Sequence, residues 1–129
     1  MIHKSGEDYL ERIMMIKERQ EIVKAIDVAK EMNYSKPSVS RALKLLAEAG
    51  YIEVCGNGNI TFTSNGLELA QKIYDRHKFF SDFLMYIGVD EQTAINDACN
   101  LEHALSSKSF LAMKEYINKI RENCKEEIF

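Results

Sequence analysis

The sequence predicts a mainly α-helical chain interrupted once by a short β-hairpin. Three observations carry this prediction. Apolar residues recur at helical period through most of the 129 residues. Two alternating runs, "YIEVC" and "NITFT", flank the turn signal "GNG". Gly50 and Gly88 stand where two helical patterns stop.

Taken in order, Ser5 and Asp8 have capping-box spacing, with the shorter Asp in place of Glu. Tyr9, Leu10, Ile13, Met14 and Ile16 then set a first helix from about residue 6 to 20. The stretch "DVAKEMN" fits a short second helix with Asp27 near its start and Val28, Ala29 and Met32 as its buried stripe. In "YSKPSVSRALKLLAEAGY", Ser35 is the expected N-cap, and Pro37 sits in the first turn, where its missing N–H costs nothing. The hairpin follows. Ser64 is expected to cap a long helix reaching about Ile87, and two further helices are expected near 90–105 and 107–123, with a frayed tail "CKEEIF". There is no internal repeat and no low-complexity segment.

Helix, helix, turn, helix, hairpin, helix is the order of a winged helix-turn-helix module with a small β-hairpin wing. The expected division is therefore residues 1–70 for that module and 71–129 for a helical domain. A composition that is 46% hydrophobic suffices to bury a core in a chain of this size. No apolar run approaches the roughly twenty residues that span a bilayer, and the start "MIHKSGEDYLERI" lacks the regions of a signal peptide. Cys55, Cys99 and Cys124 are odd in number and widely spaced, which argues against a disulfide framework. A cytoplasmic protein, with no membrane partner, is the expectation.

The net charge of −3 hides a local asymmetry. Residues 1–66 carry nine Lys/Arg and nine Asp/Glu, whereas 67–129 carry eight against eleven. Residues 33–47 contain Lys36, Arg41 and Lys44 and no acid. On the third helix Val39, Leu43 and Leu46 share one side, leaving Pro37, Ser40, Arg41 and Lys44 opposite. Such a face suits the major groove of double-stranded DNA. Arg41 can reach a guanine edge, Lys36, Ser38 or Lys44 can hold phosphates, and Ser35 belongs to the same DNA-facing set. Asn57 and Asn59 at the hairpin tip would lie over the backbone, adding little affinity because the hairpin has no Lys or Arg. The ordinary alternative is a solvated helix bearing a few lysines.

In "DEQTAINDACNLEHALSS", Cys99, Glu102 and His103 are i, i+3 and i+4, so their side chains share a helical face. The core stripe of that helix is expected to be Ala94, Ala98, Leu101 and Leu105, well round from the three. Thiolate, carboxylate and imidazole are the usual donors to a transition metal, but one helix leaves the coordination sphere open. Asp8 and Glu11, i and i+3 on the first helix, and His77 on the long helix are possible further donors. Each has an ordinary alternative: Asp8 as a first-turn residue, His77 as a core histidine, Cys99 as a small buried hydrophobe, Glu102 and His103 as a surface pair.

These residues resemble a known family, the metal-dependent regulators typified by the diphtheria toxin repressor and the manganese transport regulator. The likeness runs from Ser5 to about Tyr116 through "EDYLERI", "PSVSRALKLLAEAGYI", "TSNGLELAQKIYDRHKFFSDFL", "IGVDEQTA" and "LEHALS". It implies a DNA-binding module joined to an α-helical dimerisation domain, a homodimer on a pseudo-palindromic operator, and a repressor of metal-ion homeostasis genes activated by metal bound between the two parts. The ligand positions it implies are Asp8, Glu11, His77, Cys99, Glu102 and His103. Asp8 resembles the manganese-responsive branch and Cys99 the iron-responsive one, so the implied ion is Mn2+ or Fe2+, with Zn2+ or Co2+ next. The C-terminal SH3-like barrel of longer members is not expected, and Ser81, one turn beyond His77, argues against the separate ancillary site some of them carry. Dimer contacts are expected from Phe83, Leu84, Ile87, Phe110, Leu111, Met113 and Ile117. The competing readings are a metal-independent winged-helix repressor, a winged-helix protein-interaction module, and an enzyme using Cys99 and His103. The last lacks an oxyanion hole, a nucleophile turn and a third orienting group.

Overall fold

In the computed structural model, which describes residues 4–124, the chain forms six helices and one two-stranded sheet among those residues. The elements are α1 (Lys4–Arg19), α2 (Ala25–Met32), α3 (Lys36–Glu48), β1 (Ile52–Val54), β2 (Ile60–Phe62), α4 (Ser64–Tyr86), α5 (Glu91–Ala104) and α6 (Ser107–Cys124). They fall into two compact units that part after Tyr74, within α4. The tail after Cys124, expected to fray, lies outside the described residues, as does the Cys124 side chain.

The first unit is built on α1, whose Leu10, Ile13 and Ile16 are fully buried. Each such side chain contributes about 1.5–3 kcal/mol relative to exposure. α1 packs on α2 and α3, and Val28, Val39, Leu43 and Leu46 close the same core. Ser5 is not the cap expected of it, because α1 already runs through Lys4 and places Ser5 and Asp8 inside the helix. α2 stops at Met32 rather than continuing through Asn33, which takes the left-handed conformation at φ 57° and donates its N–H to the Ala29 carbonyl. Asp27 accepts from the Lys24 N–H at 2.8 Å and so closes the entry to α2.

The hairpin pairs antiparallel, with Ile52 opposite Phe62 and Val54 opposite Ile60. Its turn places Gly58 at φ +88°, where a side chain would be strained. The second strand is pinned to the α1–α2 connection by two bonds: the Ile60 N–H donates to the Val23 carbonyl at 2.8 Å, and the Val23 N–H donates to Asn59 Oδ1 at 3.1 Å. α4 is capped by Thr63 rather than Ser64. Thr63 Oγ1 accepts the Gly66 N–H at 3.1 Å and donates to the Gly50 carbonyl at 2.6 Å.

The second unit comprises the later turns of α4 with α5 and α6. Phe79, Phe80 and Phe110 meet edge to face, with centroids 5.4–5.8 Å apart, and Ala98 and Ile117 complete the cluster. α4 ends as expected at Gly88, φ +108°, whose N–H donates to Met85 while that of Val89 donates to Leu84. No helix among the described residues is long and apolar enough to cross a membrane.

Candidate functional site

Within the second unit, α4 and α5 bring His77, Cys99, Glu102 and His103 together. Repetition of Ala70, Ile73 and His77 at helical spacing puts the imidazole on the buried side of α4, where it is 5% exposed. On α5 the buried stripe is Ala94, Ala98 and Glu102, three residues four apart. This corrects the expected stripe: Glu102 takes the inward position, and Leu101 points outward at 37% exposure. Alanines at 94 and 98 let α5 approach closely, and the carboxylate enters on the same line.

The distances define a tight donor set. His77 Nδ1 stands 3.2 Å from Glu102 Oε2 and 3.7 Å from Cys99 Sγ. His103 Nε2 stands 3.2 Å from the other carboxylate oxygen, Glu102 Oε1. One ligand atom from each of His77, Cys99 and Glu102 lies within 4.8 Å of the others. The Glu102 carboxylate, 2% exposed, thus turns one oxygen to each of two imidazoles. A nitrogen, a sulfur and a carboxylate oxygen at this spacing are chemically suited to a divalent transition metal. In the first unit, Glu11 is buried and Asp8 half-buried, one turn apart on α1.

The second feature is the outer face of α3. Lys36, Pro37, Ser40, Arg41 and Lys44 are exposed, while Val39, Leu43 and Leu46 are buried, as their spacing requires. Ser35 and Ser38 are engaged with each other: Ser35 Oγ donates to Ser38 Oγ at 2.9 Å and accepts the Ser38 N–H at 3.4 Å. Asn57 is exposed and its Oδ1 accepts the Asn59 N–H at 3.0 Å, while Asn59 spends its own oxygen on Val23. Two residues escaped the sequence reading. Leu45, 65% exposed, lies on the free side of α3 next to Lys44, a place signalled by the "LL" pair, of which only one member can face inward. Arg76, 9% exposed, is a buried cation whose spacing from Ile73 and Phe80 could have revealed it.

Of the residues expected at a dimer contact, Phe110 and Ile117 are buried within this chain's own core. Ile87, Leu111 and Met113 are exposed, together with Tyr86 and Tyr116.

Comparison with known proteins also divides the chain in two, ahead of α4. The family model described as "Iron dependent repressor, N-terminal DNA binding domain" matches residues 1–59. The one described as "Iron dependent repressor, metal binding and dimerisation domain" matches residues 63–128. An uncharacterised HTH-type transcriptional regulator of Methanocaldococcus jannaschii is 40% identical over 120 residues, spanning 92% of this chain and 96% of that protein. The transcriptional regulator MntR of Escherichia coli O6:H1 is 33% identical over 114 residues, spanning 88% of this chain and 73% of that protein. Among solved structures, a manganese-dependent transcriptional repressor in complex with manganese superposes with a TM-score of 0.78 at 26% identity. The match covers 88% of this chain and 52% of that one, so the chain spans about half of that structure's length. With both domain models matched in order and a relative 40% identical over nearly its whole length, the chain belongs to the iron dependent repressor family of metal-dependent transcriptional regulators.

Proposed function

We propose that this chain is a metal-activated repressor of metal-ion homeostasis genes, working in the cytoplasm as a homodimer, with Mn2+ or Fe2+ as the activating ion. The observation that carries the reading is the donor set of His77, Cys99, Glu102 and His103, in a chain whose other unit presents a basic face on α3. Asp8 and Glu11, one turn apart on α1, complete the ligands in this reading. Glu102, with one oxygen turned to each of two imidazoles, would offer its carboxylate to a divalent cation alongside them. A divalent cation, when bound, supplies the positive charge that lets these carboxylates converge.

Without that charge the carboxylates of Asp8, Glu11 and Glu102, if drawn to one point, would repel one another, and a Cys99 thiolate would add to the repulsion. Carboxylates of α1 and α5, once held by one cation, would tie α1 to α5. Because α1 packs on α2 and α3, α3 is fixed with it. In a homodimer the separation of the two α3 helices then matches a pseudo-palindromic operator, whose half-sites lie about 34 Å or a multiple of that apart. Arg41 reads a base edge; Lys36, Lys44 and the serines at 35, 38 and 40 hold the phosphate backbone, with Asn57 and Asn59 of the hairpin beside it. Oxygen donors favour Mn2+ and Fe2+, while the Cys99 sulfur draws selectivity toward Fe2+, Co2+ and Zn2+. Cys99 and His103 act here as ligands, not as nucleophile and base.

Two substitutions separate the halves of this mechanism. Arg41→Ala is expected to weaken operator binding by about 1–3 kcal/mol and leave metal uptake unchanged. Glu102→Ala is expected to lower both metal affinity and metal-dependent DNA binding. Isothermal titration with Mn2+ and fluorescence anisotropy on labelled operator read the two quantities. A Glu102→Ala protein that binds Mn2+ like the parent would overturn the assignment.

A further inference from the structure

One residue before His77, α4 buries a guanidinium. Arg76 Nη1 donates to the Glu102 carbonyl at 3.2 Å and to the Leu105 carbonyl at 3.1 Å, Nη2 donates to Ser107 Oγ at 2.9 Å, and the guanidinium carbon lies 4.9 Å from the Phe110 ring centroid. Burying such a charge is costly unless its donors are satisfied, and these three bonds engage both terminal nitrogens. The last carbonyls of a helix have no partner within it. α5 ends at Ala104, and its cap residue Leu105 is extended (φ −100°, ψ 143°) rather than left-handed, so the usual glycine device that ties up those carbonyls is missing. Arg76 does that work from another helix and places a cation at the negative end of the α5 dipole.

The turn it holds is the one that carries Glu102 and His103. Arg76 grips the backbone of Glu102, while its neighbour His77 faces the Glu102 carboxylate at 3.2 Å. Through Ser107 and Phe110 the same guanidinium also fixes the first turn of α6. We infer that Arg76 is the positioning residue of the metal centre, holding the ligand-bearing last turn of α5 in register with His77. This rests on the metal reading above. Groups that orient ligands from behind typically change metal affinity about 10–100-fold when lost. Lysine is no substitute, because one ammonium cannot present the planar fork that spans two carbonyls and a hydroxyl.

The test uses the full chain, reduced, with Co2+ as the probe, comparing the parent with Arg76→Met and Arg76→Lys. The cobalt d–d bands and the charge-transfer band from the Cys99 sulfur report the geometry at the ligands, and the titration reports affinity. Arg76→Lys, with helical content unchanged by circular dichroism, is expected to bind Co2+ about 10–100-fold more weakly and with shifted d–d bands. Arg76→Met is expected to bind at least as weakly. If Arg76→Met does not fold, Arg76→Lys decides alone. A folded Arg76→Lys protein with a lower unfolding midpoint but the parent's spectrum and affinity would show that Arg76 serves packing only. A parent chain that takes up no cobalt would overturn the metal reading and this inference together.

Discussion

A β-carbon added at Gly66 would lie 2.6 Å from the carbonyl carbon of Tyr51 and closer still to its oxygen, so the start of α4 can pass the residue that leads into β1 only with glycine there. Backbone cannot yield as a flexible side chain can. Gly66→Ala is therefore expected to lower the stability of the first unit by about 1–3 kcal/mol, while Gly56→Ala, with nothing within 4 Å of the added carbon, stays close to the parent. Urea unfolding of the three proteins checks this; equal midpoints would contradict the close approach. Nothing in the "SNGLE" pattern announced that constraint, because it depends on a carbonyl fifteen residues away in the chain. Glu102 stands out in the sequence as a candidate donor but not as the inward residue of α5. Periodicity assigns the buried line by hydrophobicity, and here a carboxylate holds the place that Leu101 was expected to share. Arg76 was passed over for the same reason.

Helix ends show where local signals suffice and where they fail. Ser35, Gly50 and Gly88 act where the sequence placed them, since a cap or a positive φ is a local demand. Ser5 and Ser64 do not, because each has a neighbour that takes the cap position or extends the helix past it; Thr63 is preferred at α4, as its hydroxyl also reaches Gly50. At α5 the cap carries a charge. Asp90 Oδ2 accepts the Thr93 N–H at 3.0 Å, and this bond, first through the Thr93 backbone, holds the carboxyl below the ordinary aspartate value of 3.8. A carboxyl depressed in the folded state binds its proton more readily in the unfolded chain. Its stabilisation is thus present above pH 3.8 and lost as pH falls through the folded value. Asp90→Asn keeps an oxygen acceptor without the charge. The stability difference between parent and Asp90→Asn is expected to shrink on acidification below pH 3.8, followed by unfolding midpoints across the acid range; a difference constant with pH would contradict the charged cap.

Across the whole chain, the sequence order gives a DNA-binding unit and a helical unit, and the two matched family domains follow that order. The hairpin, the basic face of α3 and the convergence of Cys99, Glu102 and His103 on one turn were readable because each depends on short-range spacing. The partition of apolar residues between core and exposed surface was not. Phe110 and Ile117 enter the chain's own core while Leu111 and Met113 stay exposed, a division set by how α6 lies on α4 rather than by the α6 pattern itself. In the proposed mechanism metal and operator would favour the same conformer, and each would tighten the other by a factor typically about 5–150. The direct measurement is an operator-binding titration of the reduced protein with Mn2+, Fe2+, Co2+ or Zn2+ and a chelator control. Binding strengthened about 5–150-fold by Mn2+ or Fe2+ and reversed by the chelator is the predicted result; equal affinity with every ion stripped away would contradict the account.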